Sequence, residues 1–167
     1  MPLYFAYGSN LSSARLRQAD RAPSARLVGT ASLSKHVLAW HKRGADGSGK
    51  CTIRVTDNRS DGVWGVLWEI ETDDVARLDA VEGPGYERVA VVVTTANKKV
   101  TAFTYLARES HIDATLRPDT AYHALVVAGA REHGLPAAWI RALEAATESG
   151  SSGPTPPPAP PHPDVKR

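Results

Sequence analysis

The chain has 167 residues, 42% hydrophobic and 23% charged, enough for one domain with a sizeable core and ordinary for a soluble globular protein. The 20 Lys and Arg against 18 Asp and Glu leave a formal charge of +2, too small a surplus to argue for nucleic acid or a membrane surface. The single cysteine, Cys51, excludes an internal disulfide and a cysteine metal cluster. No apolar run approaches the ~20 residues of a membrane span, and the first residues lack the basic-then-apolar order of a signal peptide. A reducing, cytoplasmic location is expected.

Leu3-Tyr4-Phe5-Ala6-Tyr7 is a short apolar run rich in aromatics and reads as a buried strand. It breaks at Gly8-Ser9-Asn10, residues suited to a tight turn, and Ser12-Ser13-Ala14-Arg15-Leu16-Arg17 reads as a capped helix start. A strand that ends in such a turn and feeds a helix leaves several backbone N–H groups free at one spot. Such a nest suits a carboxylate, a phosphate or a developing oxyanion; an ordinary strand-turn-helix connection is the alternative.

The stretch from 24 to 40 is rich in small and β-branched residues and predicts one or two strands. His36 and His41, five apart in that context, make a poor metal pair and read as surface or packing histidines. Gly44-Ala45-Asp46-Gly47-Ser48-Gly49-Lys50-Cys51 nearly spells a phosphate-binding loop. Cys51 stands where that pattern needs Ser or Thr, and Thr52-Ile53-Arg54-Val55 alternates like a strand where a helix should follow. A flexible loop between strands is the better reading.

Val63-Trp64-Gly65-Val66-Leu67-Trp68-Glu69-Ile70 is the strongest strand signal, central to a sheet, and Gly65 inside it marks a bulge or the close approach of another backbone. Thr72-Asp73-Asp74 supplies a cap and acidic first turn for a helix carrying Val75, Leu78 and Val81 on one face. Glu82 closes that helix just before the stop signal Gly83-Pro84-Gly85. Tyr86 opens a strand through Thr94, and Asn97-Lys98-Lys99 turns it back into Val100 to Leu106 as a hairpin. Two helices follow, one begun by Pro118-Asp119-Thr120 and one by Pro136, carrying Trp139, Ile140 and Leu143. From Ser149 the composition shifts to Gly, Ser and Pro. The expected organisation is therefore a domain over 1–148 and a disordered, solubilising Pro-rich tail over 149–167. Strands dominate the first two-thirds and helices the end, an α+β pattern with mixed or antiparallel sheet curling into a barrel.

Glu82 is the carboxylate of interest. A helix C-terminus and an apolar neighbour both disfavour its charge and raise its pKa, which suits a group acting first as base and then as acid. The alternative is a solvated glutamate at a helix end. No serine nucleophile elbow and no histidine-glutamate zinc pattern is present.

Tyr4-Phe5-Ala6-Tyr7-Gly8-Ser9-Asn10-Leu11 resembles the substrate-binding signature of the γ-glutamylcyclotransferases. The resemblance continues in Val63 to Trp68, in Leu78-Asp79-Ala80-Val81-Glu82-Gly83 and the strand after Tyr86, and at Tyr122 and Gly129 to Pro136. It implies a small mixed β-barrel with flanking helices, an enzyme without metal or cofactor, and a homodimer as a candidate assembly. It further implies release of 5-oxoproline from a γ-glutamyl donor by attack of the donor's α-amine on its γ-carbonyl. Glu82 would be the acid/base, Tyr7, Gly8, Ser9, Asn10 and Leu11 the cradle of the glutamyl group, and Tyr86 and Tyr122 pocket tyrosines. Competing readings are the same chemistry on γ-glutamyl amines, γ-glutamyl-lysine or a γ-glutamylated biosynthetic intermediate, with loops such as 43–50 and 110–116 reading the second moiety, and a non-catalytic small-molecule-binding module.

Overall fold

The computed structural model describes residues 1–146; the Pro-rich tail, and the end of the domain expected over 1–148, lie outside the described residues. In chain order the elements are β1 (Leu3–Ala6), a 3-10 turn (Ser9–Leu11), α1 (Ser13–Leu16), β2 (Arg26–Ser34), β3 (His36–Arg43), β4 (Gly49–Val55) and β5 (Gly62–Glu69). They continue with α2 (Thr72–Glu82), a second 3-10 turn (Gly83–Gly85), β6 (Tyr86–Thr94), β7 (Lys99–Ala107), a third 3-10 turn (Glu109–His111), α3 (Thr120–Glu132) and α4 (Ala137–Ala145).

Five strands close a small mixed barrel in the order β1-β5-β2-β6-β7, and β3 and β4 form a separate two-stranded sheet. The apolar β5 pairs antiparallel on both sides, with β1 (Ala6 opposite Val66) and with β2 (Thr30 opposite Val66). Residues on both faces of β5 are buried along almost its whole length, which accounts for its nearly unbroken apolar run. Gly65 is where β1 comes closest: a Cβ there would stand 2.3 Å from the Ala6 carbonyl oxygen and 2.7 Å from the Phe5 ring. The long β6–β7 hairpin closes the barrel through a parallel contact, Tyr4 opposite Phe103.

The stretch 24–40 divides at Lys35, whose φ of 57° turns the chain from the barrel into the β3–β4 sheet. The glycine-rich segment that resembles a phosphate loop is the tip of that hairpin. Gly44 N–H donates to Ser48 O at 2.9 Å and Gly47 N–H to Gly44 O at 3.0 Å, so the amides a phosphate would need are spent within the turn. Helix α2 begins one residue earlier than its acidic run implies. Glu71 occupies the cap position without a side-chain bond, while Asp74, 2% exposed, accepts from the Ser24 backbone N–H at 2.8 Å and from the Ser24 hydroxyl. That carboxylate pins the loop 17–25 onto α2.

The core is filled by Phe5, Trp68 and Val63 from the barrel, by Leu78 from α2, and by Val126, Trp139 and Leu143 from the last two helices. Helix α3 docks on the first 3-10 turn through Gly129, where a Cβ would stand 2.6 Å from Leu11 Cβ and 2.9 Å from Ser12 N. A helical Gly→Ala change ordinarily stabilises by about 0.5–1 kcal/mol. Here the forced displacement of backbone outweighs that gain, so Gly129→Ala is expected to destabilise by about 1–3 kcal/mol in urea unfolding; an unchanged or higher midpoint would show that α3 does not hold the turn.

Candidate active site

The turn after β1 is the floor of the site. Its two 3-10 hydrogen bonds are made by Leu11 N–H to Gly8 O (3.1 Å) and Ser12 N–H to Ser9 O (3.2 Å). The amides of Ser9 and Asn10 stand ahead of these and have no acceptor within the turn. Ser12 then caps α1, its side chain accepting from Arg15 N–H at 3.3 Å, and Arg15 Nε donates back to Ser9 Oγ at 3.1 Å. Gly8 is backed by β4: a Cβ there would come within 3.1 Å of Cys51 Cβ and 3.5 Å of the Tyr122 hydroxyl.

Asn10 carries the link from this turn to the carboxylate. Only 4% exposed, it donates through Nδ2 to Tyr4 OH (3.0 Å) and to Glu82 Oε1 (3.1 Å), and its Oδ1 accepts from Arg21 Nη1 (3.1 Å). Arg21 Nη1 also lies 3.9 Å from Glu82 Oε1. Glu82 is the last residue of α2, and Gly83, with φ 63°, ends the helix in the left-handed region. The short Gly83–Gly85 turn then starts β6 at Tyr86, so one helix stop sets both side chains on the same cleft. The Glu82 pKa is raised above the ordinary value of 4.5. Burial is the cause, opposed by Arg21, the Asn10 hydrogen bond, Lys42 and Arg15. The direction matches the sequence expectation, but its origin is desolvation against a ring of cations.

The cleft is open to solvent and is lined by all five tyrosines of the chain together with Glu82, Cys51 and the residues 8–10. Tyr7 OH donates to Tyr105 O at 2.5 Å, Tyr86 OH to Cys51 O at 2.6 Å, and Tyr105 OH to Asp79 Oδ1 at 2.7 Å; Tyr122 OH accepts from Cys51 N–H at 3.0 Å. Burial pushes the phenols of Tyr4, Tyr7, Tyr86 and Tyr122 well above their usual range, so they stay neutral. Burial likewise raises the Cys51 thiol to about 12, which leaves it protonated and a poor nucleophile at neutral pH. Glu82 is thus the carboxyl on this wall, its pKa raised by burial.

Of the residues singled out in the sequence, Tyr7, Gly8, Ser9, Asn10, Glu82, Tyr86 and Tyr122 meet at this cleft. Leu11 does not. It is 0% exposed and packs in the core beneath the turn, its carbonyl hydrogen-bonded by His133 Nε2 at 2.8 Å. Sequence reasoning missed Tyr4, Tyr105, Cys51 and Arg21. The available signal was the tyrosines themselves, five against two phenylalanines, since a phenol is placed where an apolar wall must keep a polar tip. Nothing local marks Arg21. Among the described residues there is no group of three or more His, Cys, Asp or Glu able to hold a metal ion, and no helix long and apolar enough to cross a membrane.

The sequence profile of the AIG2-like family matches residues 62–143. The γ-glutamylcyclotransferase of Homo sapiens is 30% identical over 166 residues, spanning 90% of this chain and 81% of the human protein. The γ-glutamylcyclotransferase of Bos taurus is 31% identical over 156 residues, 84% of this chain and 76% of the bovine protein. A solved structure named γ-glutamyl cyclotransferase superposes with a TM-score of 0.75 at 31% identity over 86% of each chain. The chain belongs to the γ-glutamylcyclotransferase family of enzymes. Of the stretches that carry the resemblance to that family in the sequence, Tyr4 to Leu11 gives the cleft Tyr4, Tyr7, Gly8, Ser9 and Asn10, and Leu78 to Gly83 gives it Glu82. Val63 to Trp68 lies in β5, and Gly129 to Pro136 spans the last turn of α3 and the link to α4, while Tyr122 of that same block lines the cleft.

A carboxyl whose pKa is higher folded than unfolded binds its proton more tightly in the folded state. Its penalty to stability develops as pH rises from the ordinary 4.5 through the raised value, and is complete above it. Glu82→Gln is therefore expected to melt at a higher temperature than the parent at pH 7, with the gap closing toward pH 4. A variant that melts lower at pH 7 would show that the Asn10 and Arg21 contacts outweigh burial.

Proposed function

We propose that the protein releases 5-oxoproline from γ-glutamyl amino acids or small γ-glutamyl peptides. The donor's α-amine attacks its own γ-carbonyl, the bond from that carbon to the leaving nitrogen breaks, and Glu82 acts as acid and base. The observation that carries this reading is the Glu82 carboxylate on the cleft wall, its Oε1 3.1 Å from Asn10 Nδ2 and its pKa raised by burial. Across the reaction the donor ammonium loses two protons and the departing amine gains two. A single group that takes and returns protons therefore suffices, and its efficiency is greatest when its pKa approaches the working pH.

The rest of the demand is positional. Nucleophile and electrophile belong to one molecule, and well-oriented intramolecular reactions reach effective molarities of about 10⁵–10⁸ M. The neutral phenols give the glutamyl chain a wall with fixed polar tips and no competing charge. The amides of Ser9 and Asn10 are the donors for the γ-oxyanion, where removing one donor in comparable sites costs about 3–4 kcal/mol.

Glu82→Gln is expected to lower kcat for 5-oxoproline release by about 10²–10⁴-fold with substrate affinity within about threefold; retained turnover removes Glu82 from the mechanism. Wild-type kcat/KM should fall as pH drops through the raised Glu82 pKa. Arg21→Met should move that acid limb to higher pH, because Arg21 is the largest influence holding the pKa down. An acid limb unmoved by the substitution would assign it to another group. A protein that binds γ-glutamyl compounds without turning any over would be the non-catalytic module instead.

A further inference from the structure

The β3–β4 sheet carries a feature that the proposed acid/base chemistry leaves unused. Lys42 and Lys50 are direct cross-strand partners. Like charges set opposite one another in an antiparallel pair are destabilising, so their juxtaposition calls for an explanation. It is also built. Ala39 pairs with Thr52 and Lys42 with Lys50, so Trp40 and His41 together oppose Cys51 alone. That β-bulge re-aims β3 by one residue and brings Lys42 into register with Lys50.

Each ammonium lies on a wall tyrosine of the cleft: Lys42 Nζ is 4.6 Å from the Tyr86 ring centre and Lys50 Nζ 4.4 Å from that of Tyr122. Gly85, one residue before Tyr86, leaves the space Lys42 occupies, since a Cβ there would come within 2.5 Å of Lys42 Cε and 2.8 Å of its Nζ. Lys50 has partial charge partners, Asp46 at 3.4 Å and Asp119 at 3.8 Å. Lys42 has no carboxylate within 4 Å among the described residues, although it interacts with Glu82 over a longer distance. Burial lowers the Lys42 pKa and Lys50 adds to the effect, against the pull of Glu82.

We propose that Lys42 and Lys50 form a cationic clamp beside the cleft that reads carboxylates on the group leaving the γ-carbonyl. This rests on the cyclotransferase reading and makes the two lysines specificity residues for it. One carboxylate on the leaving amino acid engages the unpaired Lys42; a second, on an acidic side chain, draws on Lys50. The clamp therefore ranks leaving groups as dicarboxylic, then monocarboxylic, then plain amines, and disfavours cationic ones such as lysine.

The test compares kcat/KM for γ-glutamyl-glutamate, γ-glutamyl-alanine and γ-glutamyl-butylamine in the parent, in Lys42→Ala, and in Lys42→Ala/Lys50→Ala. The parent should follow that order. Because Lys42 also holds the Glu82 pKa down, rates are compared on the plateau above each variant's acid limb. There the double variant should lose about tenfold or more on γ-glutamyl-glutamate, the loss of a charged hydrogen bond, and less than about twofold on the amine. Lys42→Arg should restore part of the loss. Equal losses on all three would make the lysines supports or readers of the donor's own carboxylate, and no loss on γ-glutamyl-glutamate would make them solvated surface charge; either overturns the clamp. Should the parent release 5-oxoproline from none of them, the reaction is wrong. The clamp is then decided by calorimetry, and stands only if γ-glutamyl-glutamate binds the parent at least about tenfold more tightly than the double variant.

Discussion

The site depends on one buried amide. Asn10 uses both Nδ2 protons and its carbonyl oxygen at once, on Tyr4, Glu82 and Arg21. Because it belongs to the turn after β1, the same residue that bonds the carboxylate also fixes the backbone amides beside it. A buried side-chain amide with its partners in place costs little, whereas one left unpaired costs about 1–3 kcal/mol. The pairing therefore specifies a single arrangement of turn, helix end and loop. The surrounding fold serves that arrangement: α3 presses on the turn through Gly129, Asp74 ties the Arg21 loop to α2, and Gly83 stops α2 where Glu82 meets the cleft.

Opposing electrostatic influences decide how Glu82 is poised. Burial pushes its pKa up, while Arg21, Asn10, Lys42 and Arg15 pull it down, and burial prevails. Without those cations burial would raise the pKa further. A fully paired carboxylate would be too weak a base to take a proton from an amine. The distance of 3.9 Å to Arg21, longer than a direct hydrogen bond, is consistent with this intermediate position. The neutral phenols and protonated thiol around it keep further charges off the wall.

Local signals in the sequence reached far, and they failed where distant segments meet. The stop after Glu82, the turn at residues 8–10, the β6–β7 hairpin and the apolar β5 each rest on a few neighbouring residues whose backbone preferences agree. Three features had no such signature. Leu11 shares the turn but points into the core, because a 3-10 turn rotates successive side chains by about 120° and one of the three must face α3. Arg21 reaches Glu82 only because Asp74 holds its loop, a contact between residues fifty positions apart. The bulge that aligns Lys42 with Lys50 is invisible to a reading of alternation, since one extra residue in a strand changes register without changing composition.

The most direct measurement is the pKa of the Glu82 carboxyl itself, followed by carbon-detected NMR in the wild-type protein and in Asn10→Ala. The account predicts a wild-type value above that of an ordinary glutamate, rising further in Asn10→Ala because the charged form loses its hydrogen bond. A carboxyl that titrates like a solvated glutamate, and does not respond to the loss of Asn10, would contradict it.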